Sequence, residues 1–329
     1  MKKLYVISGA TGMTGSELSH QLIKRGDSVI GFDNFFASSI DTVQDLIGNR
    51  DFVFKEWDIN NNQHMKELKA LVLNLKPNYD IIIYVNCAAV VHTEHFYEIE
   101  HTYTTNVVAM RSFLEQAIEV GAATYINCST SEVYSMQSWN ANGGVKEDDF
   151  LVLATAEHSQ RTSYAVGKLL TEFFMKDAVD KGKIKGCSIR FANVYSKHER
   201  FAKHIIPHII NQLLSGKTVK LLENSKKNRR TFLHNFDSCN AVLELMDHPE
   251  ALDGTVYNVA TDEEISIVDL TKLIAKKMEI KNPAIVFDGY RESDPERRLL
   301  NTEKLRKRTN WTPKVTLDKG LDLCVASIQ

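Results

Sequence analysis

Residues 3–15 read KLYVISGATGMTG, and the fold class can be inferred from this stretch. Its apolar start predicts a buried strand that leads into glycines at positions 9, 12 and 15. A helix follows with Leu18, Leu22 and Ile23 on one face, and Gly26 ends it. In such a turn the first glycine allows a tight bend, the second lets the backbone approach a pyrophosphate, and the third packs the helix on the strand.

This turn predicts a dinucleotide site, because the free N–H groups and the positive dipole end of the helix face a bound phosphate. The next strand, residues 28–32, ends at Asp33. A carboxylate there can bind a ribose 2′-hydroxyl and repels a 2′-phosphate, which favours NAD over NADP. The spacing is Gly-x-x-Gly-x-x-Gly, and a loop that only turns the chain is the alternative. The cofactor-binding residues expected here are Gly9, Thr11, Gly12, Met13, Gly15, Asp33 and Asn34.

Composition narrows the class of protein. The chain has 329 residues, which is enough for two lobes, and its 43% hydrophobic and 25% charged residues are ordinary for a globular protein. Lys and Arg total 40 against 42 Asp and Glu, so no basic excess indicates a nucleic-acid partner. The basic run at residues 226–230 is too small for duplex DNA but suits a diphosphate.

The cysteines and the apolar segments indicate in which cellular compartment the protein is expected. The five cysteines are scattered without a Cys-x-x-Cys pair, which favours neither a disulfide framework nor a metal site; they are Cys87, Cys128, Cys187, Cys239 and Cys324. The apolar run after Met1 breaks at Ser8, so we read no export signal, and no window is long enough to span a membrane. We therefore expect a cytoplasmic protein with no membrane partner.

Strands and helices alternate along the first half of the chain. Apolar runs predict strands and amphipathic stretches predict helices; the strands are at residues 52–54, 79–85, 123–127 and 187–193, and the helices at 65–75, 98–120 and up to 179. This order predicts an α/β protein with a doubly wound parallel (Rossmann) sheet, in which ligands bind at the carboxyl ends of the strands. The small residues Cys87, Ala88 and Ala89 at one such end allow a cofactor to lie across it.

Past residue 190 the pattern loosens into shorter elements. We expect residues 1–187 to form the NAD-binding domain, with residues 230–262 crossing back to it. Residues 188–229 and 263–329 would form a smaller α/β substrate-binding lobe. The loop at residues 139–144 is a candidate lid over the site, although an ordinary surface loop is equally compatible with its sequence.

Two motifs predict the catalytic groups. Residues 128–134 read CSTSEVY, where a strand ends in hydroxyls and a carboxylate. Tyr164 and Lys168 lie four apart in a helical pattern and therefore share one helix face. An ammonium beside a phenol lowers the pKa of the phenol, which makes Tyr164 a candidate general base for a hydroxyl, with Thr130 as its partner. Many Tyr-x-x-x-Lys pairs are surface neighbours, but here a nucleotide-binding opening precedes the pair.

With these motifs the chain resembles, nearly end to end, the extended short-chain dehydrogenase/reductases that act on nucleotide-diphosphate sugars. The residues that carry the resemblance are Gly9, Gly12, Gly15, Asp33, Asp58, Ile59, Ala88, Ala89, Asn106, Thr130, Val133, Tyr134, Tyr164, Lys168, residues 190–195, Arg230 and Trp311 with the two residues after it. The resemblance implies that Tyr164 and Lys168 serve hydride transfer to tightly held NAD. It also implies a homodimer in which the helices at 98–120 and 162–179 pair into a four-helix bundle.

The resemblance also implies further binding residues. Asp58, Ile59 and Asn106 would contact the cofactor with Cys87, Ala88 and Ala89. The nucleotide diphosphate, UDP- or GDP-linked, would be held by Asn193, Arg230 and an arginine near the C-terminus, Arg297 or Arg298, of which we expect Arg297. We also expect His92 to contact the substrate, although the segment around it departs from the common dehydratase pattern.

Glu132 indicates the reaction. The Thr130-Ser131-Glu132 order is similar to that of GDP-mannose dehydratases and also to that of UDP-glucuronate decarboxylases. Once C4 of the sugar is a ketone the C5 proton is acidic, so a nearby carboxylate can remove it and the C6 hydroxyl can leave as water. We expect an NAD-dependent nucleotide-sugar dehydratase of the 4,6 or 5,6 type with catalytic residues Thr130, Ser131, Glu132, Tyr164 and Lys168.

Departures from the family pattern leave other reactions open. Ser131 replaces the usual aspartic acid and is a poor proton donor, and Glu132 could be a surface or helix N-terminal carboxylate. The alternatives on the same scaffold are a C4 epimerase, a uronate decarboxylase and a C4 dehydrogenase. A non-catalytic NAD-sensing protein is a remote alternative, because it would not need Thr130, Tyr164 and Lys168 together.

Overall fold

A computed structural model describes residues 1–135, 143–199, 201–292 and 294–327. Residues 139–142 of the loop predicted as a lid lie outside these ranges. The described strands are β1 (Lys3–Ser8), β2 (Ser28–Asp33), β3 (Phe52–Glu56), β4 (Ile81–Asn86), β5 (Thr124–Thr130), β6 (Lys185–Phe191), β7 (Val194–Tyr195), β8 (Val219–Leu221), β9 (Arg229–Thr231), β10 (Leu233–His234), β11 (Asp253–Val259), β12 (Glu264–Ser266), β13 (Ile285–Phe287) and β14 (Arg297–Arg298). The α-helices are α1 (Met13–Arg25), α2 (Asn62–Leu75), α3 (Ile99–Tyr103), α4 (Met110–Glu119), α5 (Thr162–Asp180), α6 (Ile205–Leu214), α7 (Asn235–Asp247), α8 (Ile267–Lys277), α9 (Glu303–Thr309) and α10 (Leu317–Ala326).

Seven parallel strands form the large sheet, in the order β11-β6-β5-β4-β1-β2-β3. The chain winds in one direction from β1 to β3 and then in the other from β4 onward, so the strand order reverses between β1 and β4. Ligands of doubly wound sheets bind outside the carboxyl ends of the strands at this reversal. The predicted Rossmann fold is confirmed, and the reversal fixes where its ligand site lies.

The sheet is buried on both faces, which explains the nearly unbroken apolar strands. Along β1, Tyr5 and Ile7 belong to a core that includes Leu18 and Leu22 of α1. The alternate residues Leu4 and Val6 belong to the core on the other face, formed with α2, α4 and α5. Each strand end is therefore held between two helical layers, and the residues that follow it have a fixed position.

The second lobe has a core of its own, built from α6, α8, α10 and short strands. The boundary between the lobes differs from the expected one, because β6 carries the first lobe past residue 187 to Phe191. Later segments also return to the first lobe. β11 pairs with β6, α7 packs on α1, and Leu305 and Trp311, expected in the second lobe, lie in the core of the large sheet.

Candidate active site

A cavity of about 850 Å³ lies along the carboxyl ends of β1, β2, β4 and β5 and is closed by the second lobe. Residues from both predicted motifs line it, together with the glycine-containing turn. The second lobe contributes Asn193, Arg230 and Arg298. The volume of the cavity lies in the upper part of the range for ligand and cofactor sites, about 300–1,000 Å³, and the cavity lies where the reversal of the strand order predicts a site.

The glycine-containing turn leaves no room for side chains. Gly9 has a positive φ of 68°, and a Cβ on it would lie 2.7 Å from the Ala88 nitrogen. A Cβ on Gly15 would lie 2.1 Å from the Gly9 oxygen. The N-cap residue of α1, Gly12, offers no side-chain acceptor, so the first N–H groups of the helix stay available to an anion. This turn fits the pyrophosphate of NAD.

Asp33 is held rigidly at the end of β2. Its carboxylate accepts hydrogen bonds from the backbone N–H groups of Thr11 at 3.2 Å and Phe35 at 2.9 Å, and from the Ser38 hydroxyl at 3.3 Å. Only 9% of the residue is exposed, and it lines the cavity. A fixed carboxylate in this position fits the adenosine ribose of NAD and repels a 2′-phosphate.

Two of the residues expected to bind the cofactor do not line the cavity. Asp58 accepts a hydrogen bond from the Asn60 N–H at 2.7 Å and so closes a turn. Asn106 is fully buried; its amide accepts from the Val90 N–H at 2.7 Å and donates to the Val90 carbonyl at 3.1 Å. Asn106 therefore holds the segment after β4 in place through the Val90 backbone. The remaining expected cofactor residues line the cavity: Gly9, Thr11, Gly12, Met13, Gly15, Asp33, Asn34, Ile59, Cys87, Ala88, Ala89, Tyr164 and Lys168.

The structure brings Thr130, Tyr164 and Lys168 together. The phenol of Tyr164 lies close to the Thr130 hydroxyl, and its ring stacks on Phe96 with centroids 4.3 Å apart. Lys168 is 2% exposed, and its ammonium donates to the Cys128 carbonyl at 2.9 Å. The end of β5 and the first turns of α5 therefore form one wall of the cavity.

The acidity of Tyr164 differs from the expectation. Burial raises the pKa of Tyr164, and the Glu132 carboxylate raises it further, while the Thr130 hydrogen bond opposes both. Lys168, which was expected to lower this pKa, is not among its causes and is bound to a carbonyl instead. Burial also lowers the pKa of Lys168 itself. Desolvation outweighs the effect predicted from spacing alone.

Glu132 lies between two arginines. Its Oε1 is 2.5 Å from Arg298 Nη1, and its Oε2 is 3.5 Å from Arg161 Nη2. Burial alone would raise the pKa of Glu132, but the positive charges of Arg298 and Arg161 outweigh burial and lower it to about 2. Glu132 is therefore a firmly ionised carboxylate and, in this arrangement, a weak base.

Arg298, rather than Arg297, enters the cavity. Arg297 forms an ion pair with Glu264 at 2.7 Å and does not line the cavity, whereas Arg298 is 6% exposed and lines it. The two residues form β14, where neighbouring side chains point to opposite faces, so only one of them can face inward. Arg161 was not predicted as a site residue. Its position three residues before Tyr164, close to one helical turn, is the feature of the sequence that indicates it.

The part of the cavity next to the second lobe is rich in positive charge. Four arginines that line it define the arginine cluster: Arg161, Arg230, Arg291 and Arg298. The carboxylates beside them are Glu132 and Asp294, and Asp294 pairs with Arg230 at 2.8 Å. Burial and the neighbouring Arg298 lower the pKa of Arg230 to about 10, which leaves it charged near neutral pH. Such a cluster fits a multiply charged anion.

The other expected substrate residues also lie at this cavity. Asn193 donates to the Thr231 carbonyl at 3.0 Å, and the ring of His92 stacks on Phe201 with centroids 3.9 Å apart. Because Phe201 belongs to the segment after β7, this stack joins the two lobes. Ser131 is buried and lines the cavity beside Glu132.

Two other kinds of site are absent from the described ranges. Within them, His, Cys, Asp and Glu side chains form no group of three that could hold a metal ion. Nor does any helix in those ranges combine the length and apolar character needed to cross a bilayer.

Comparison with known proteins identifies the family. The model of the NAD dependent epimerase/dehydratase family matches residues 5–260. The UDP-N-acetyl-alpha-D-glucosaminuronate decarboxylase of Bacillus cytotoxicus is 27% identical and covers 98% of this chain and 96% of its own. The dTDP-D-glucose 4,6-dehydratase of Mus musculus is 24% identical, covering 97% of this chain and 86% of its own.

Among solved structures, the UDP-glucuronic acid 4-epimerase of Bacillus cereus, solved in complex with UDP-glucuronic acid and NAD, superposes with a TM-score of 0.85. The two chains are 23% identical, and the match covers 99% of this chain and 98% of the epimerase, so it supports the fold. The resemblance predicted from the motifs is thereby confirmed, as is NAD as cofactor. The chain belongs to the NAD dependent epimerase/dehydratase family, within the extended short-chain dehydrogenase/reductases, and its cofactor is NAD.

Proposed function

We propose that this enzyme oxidises C4 of a nucleotide-linked uronic acid and decarboxylates it. The observation that carries the proposal is the position of Glu132 between Arg298 and Arg161, with a pKa of about 2. Dehydration requires a base for the C5 proton, and a carboxylate this acidic serves that purpose poorly. Decarboxylation requires no such base, so the site favours it.

The first step uses the residues at the end of β5 and on α5. Tyr164 takes the proton of the C4 hydroxyl, Thr130 orients that hydroxyl, and Lys168 fixes the wall through the Cys128 carbonyl. NAD, when bound, supplies the acceptor for the C4 hydride and adds positive charge that favours the phenolate. The same bound cofactor would give the hydride back at the end, so the reaction involves no net oxidation.

The second step follows from the chemistry of the oxidised sugar. A C4 ketone makes the C6 carboxylate the carboxylate of a β-keto acid. The bond between C5 and C6 breaks, carbon dioxide leaves, and the electron pair moves to the C4 oxygen as an enolate. Tyr164 and Thr130 lie where they can hydrogen-bond this oxygen, which stabilises the developing charge. Protonation at C5 and return of the hydride to C4 complete the product.

The charge of the cavity supports an acidic sugar. The arginine cluster places four guanidinium groups against the two carboxylates Glu132 and Asp294. A nucleotide diphosphate accounts for part of this positive charge, and a uronate carboxylate accounts for more. The relative from Bacillus cytotoxicus, which matches this chain almost end to end, is named for the decarboxylation of a UDP-linked uronic acid.

A dehydratase is the second candidate, as expected from the Thr130-Ser131-Glu132 order. The mouse relative carries a dehydratase name, and Glu132 acts on the charge of Tyr164 within the same cavity. In this reaction Glu132 would remove the C5 proton, which requires that substrate binding first displace Arg298 or Arg161 from it. Ser131 would occupy the place of the proton donor.

Mass spectrometry of the products separates the candidates. The protein is incubated with UDP-glucuronic acid, UDP-N-acetylglucosaminuronic acid and UDP-, GDP-, CDP- and dTDP-linked hexoses. We expect loss of carbon dioxide from a uronate and, in deuterated water, one deuterium at C5 of the product. Loss of water from a hexose would establish the dehydratase instead, and an unchanged mass with altered proton couplings would establish an epimerase. The variant Tyr164→Phe is the control for background turnover.

We further propose that the enzyme is a homodimer. Each subunit would bind one nucleotide sugar, and this sugar would be UDP-linked in preference to GDP-linked. Exposed apolar side chains share one face of α5, namely Val166, Leu170 and Phe173, and the last is 65% exposed. Tyr103 of α3 is exposed as well, and α3 packs against α5. Light scattering of the purified protein tests the assembly, with Phe173→Asp as the variant expected to give monomers.

A further inference from the structure

Two thiols face each other in the cavity beside the catalytic residues. The sulfurs of Cys87 and Cys128 are 3.8 Å apart, within hydrogen-bonding distance for sulfur, and both residues line the cavity. Asn86 of β4 pairs with Asn127 of β5, so Cys87 and Cys128 are the next residues on neighbouring parallel strands. The sequence places these cysteines 41 residues apart, and only the sheet brings them together.

The backbone permits a bond between them. Neighbouring strands lie roughly 4.8 Å apart, and disulfides join Cα atoms that are roughly 4.4–6.8 Å apart. Bond formation therefore requires the sulfurs to approach through side-chain rotation while the strands stay in register. Both residues line the cavity, so a small reagent that enters the cavity comes next to them.

The two thiols differ in acidity. The pKa of Cys128 is lowered, because its sulfur accepts the hydrogen bond of Cys87 and because the Lys168 ammonium lies nearby. The pKa of Cys87 is raised by the same hydrogen bond and by burial. The pair therefore has one sulfur suited to attack as a thiolate and one that keeps its proton. Cys187, Cys239 and Cys324 have raised pKa values through burial and do not line the cavity.

We propose that Cys87 and Cys128 form a dithiol site that reacts with small hydroperoxides and closes to a disulfide. The Cys128 thiolate attacks one peroxide oxygen, the O–O bond breaks, and a sulfenic acid and hydroxide form. Cys87 then attacks the Cys128 sulfur, its proton passes to the departing hydroxide, and the disulfide and one water result. The two sulfurs lose two electrons in total and the peroxide gains them.

Formation of the disulfide changes the wall of the cavity that the end of β5 and the first turns of α5 form. The carbonyl of Cys128 is the acceptor for the Lys168 ammonium, and Thr130 follows Cys128 by two residues. Moving the Cys128 side chain to reach Cys87 narrows the part of the cavity that Tyr164 and Lys168 face. The oxidised enzyme is therefore inactive, and a thiol reductant restores it. This inference does not depend on which nucleotide sugar the enzyme uses.

The test is a thiol map of the complete protein. Reduced protein is treated with hydrogen peroxide, its free thiols are alkylated, and the digest is analysed by mass spectrometry. We expect a crosslinked peptide containing Cys87 and Cys128, with the other three cysteines alkylated, and its disappearance after treatment with dithiothreitol. Alkylation of both Cys87 and Cys128 under conditions that oxidise other cysteines would overturn the proposal.

Variants link the crosslink to function. In Cys128→Ala the attacking sulfur is absent, so peroxide should not lower the activity of this variant below its own untreated value. In Cys87→Ala the Cys128 sulfenic acid has no partner thiol, so excess peroxide oxidises it further to the sulfinic acid and dithiothreitol should not restore the lost activity. Cys324→Ala removes a buried thiol of the second lobe and should lose and regain activity like the native protein. Where turnover is too low to follow, NAD binding measured before and after peroxide replaces it. Equal recovery in Cys87→Ala and the native protein would refute the dithiol as the cause.

Discussion

Arg298 Nη1 lies 2.5 Å from Glu132 Oε1, so a guanidinium of the second lobe neutralises the carboxylate that follows Thr130. The two residues are 166 positions apart in the chain, and their contact closes the cavity between the lobes. A change in either partner should therefore affect both the chemistry at the sugar and the attachment of one lobe to the other.

Glu132→Gln tests the strength of this attachment. A carboxyl whose folded-state pKa is lowered stabilises the fold above its unfolded pKa and loses that contribution as the pH falls towards the folded value. For Glu132 the window runs from pH 4.5 down to about 2, and the contribution is at most about 3 kcal/mol. Urea unfolding of the native protein and the variant should give a gap in stability at about pH 7 that shrinks near pH 3. A gap that does not change with pH would contradict the low pKa.

Arg297 and Arg298 provide a matched pair of substitutions. Arg298→Ala removes the partner of Glu132 and one charge of the arginine cluster, so we expect a loss in kcat/KM of about a hundredfold, which corresponds to about 3 kcal/mol. Arg297→Ala breaks only the ion pair with Glu264, which lies outside the cavity, and should change kcat/KM less than about threefold. Steady-state kinetics with the substrate found by mass spectrometry measures both. Equal losses in the two variants would contradict the placement of Arg298.

Tyr164→Phe keeps the stack on Phe96 but removes the phenol oxygen. We expect unchanged stability and a fall in kcat of about a hundredfold or more. Because the pKa of Tyr164 is raised and the deprotonated phenol is the base, kcat/KM of the native enzyme should keep rising as the pH increases above neutrality. The pH profile of kcat/KM checks this. A plateau that begins near neutral pH would show that the free enzyme already holds a phenolate.

Asp33→Ala tests cofactor selection. The change removes the carboxylate expected on the adenosine ribose and leaves the Thr11 and Phe35 N–H groups without their acceptor. We expect NAD to bind about tenfold more weakly or worse and the discrimination against NADP to fall. Calorimetric titration of both cofactors measures the two effects. The substitution Asp45→Ala serves as the control, because it removes a carboxylate that pairs with His20 outside the cavity.

Sequence patterns predicted those parts of the site that are formed by residues close together in the chain. The apolar strand, the glycines and Asp33 fix one another within thirty-one residues, and the spacing of Tyr164 and Lys168 is a property of a single helix. These groups lie in the cavity as expected. Arg298 could not be chosen over Arg297 by spacing, because the inward face of β14 is set by its pairing with β9.

The pKa values of the site residues depend on packing more strongly than the positions of these residues do. The raised pKa of Tyr164 and the lowered pKa of Glu132 both result from burial and from charges that arrive from other elements. Asn106 was expected at the cofactor because its type and position match the family, yet its amide hydrogen-bonds the Val90 backbone and does not line the cavity. A match to a motif identifies a residue in the chain. The role of that residue depends on which hydrogen-bonding or charged groups the fold places next to it.

The return of α9 and Trp311 to the core of the large sheet has a consequence for the independence of the two lobes. A fragment that stops at Phe191 would lack β11, the partner of β6, and would leave the hydrophobic surface under Leu305 and Trp311 open to water. The nucleotide-binding half is thus completed by the last part of the chain. An exchange of the second lobe between relatives would therefore also exchange the segment around Leu305 and Trp311, which forms part of the core of the first lobe.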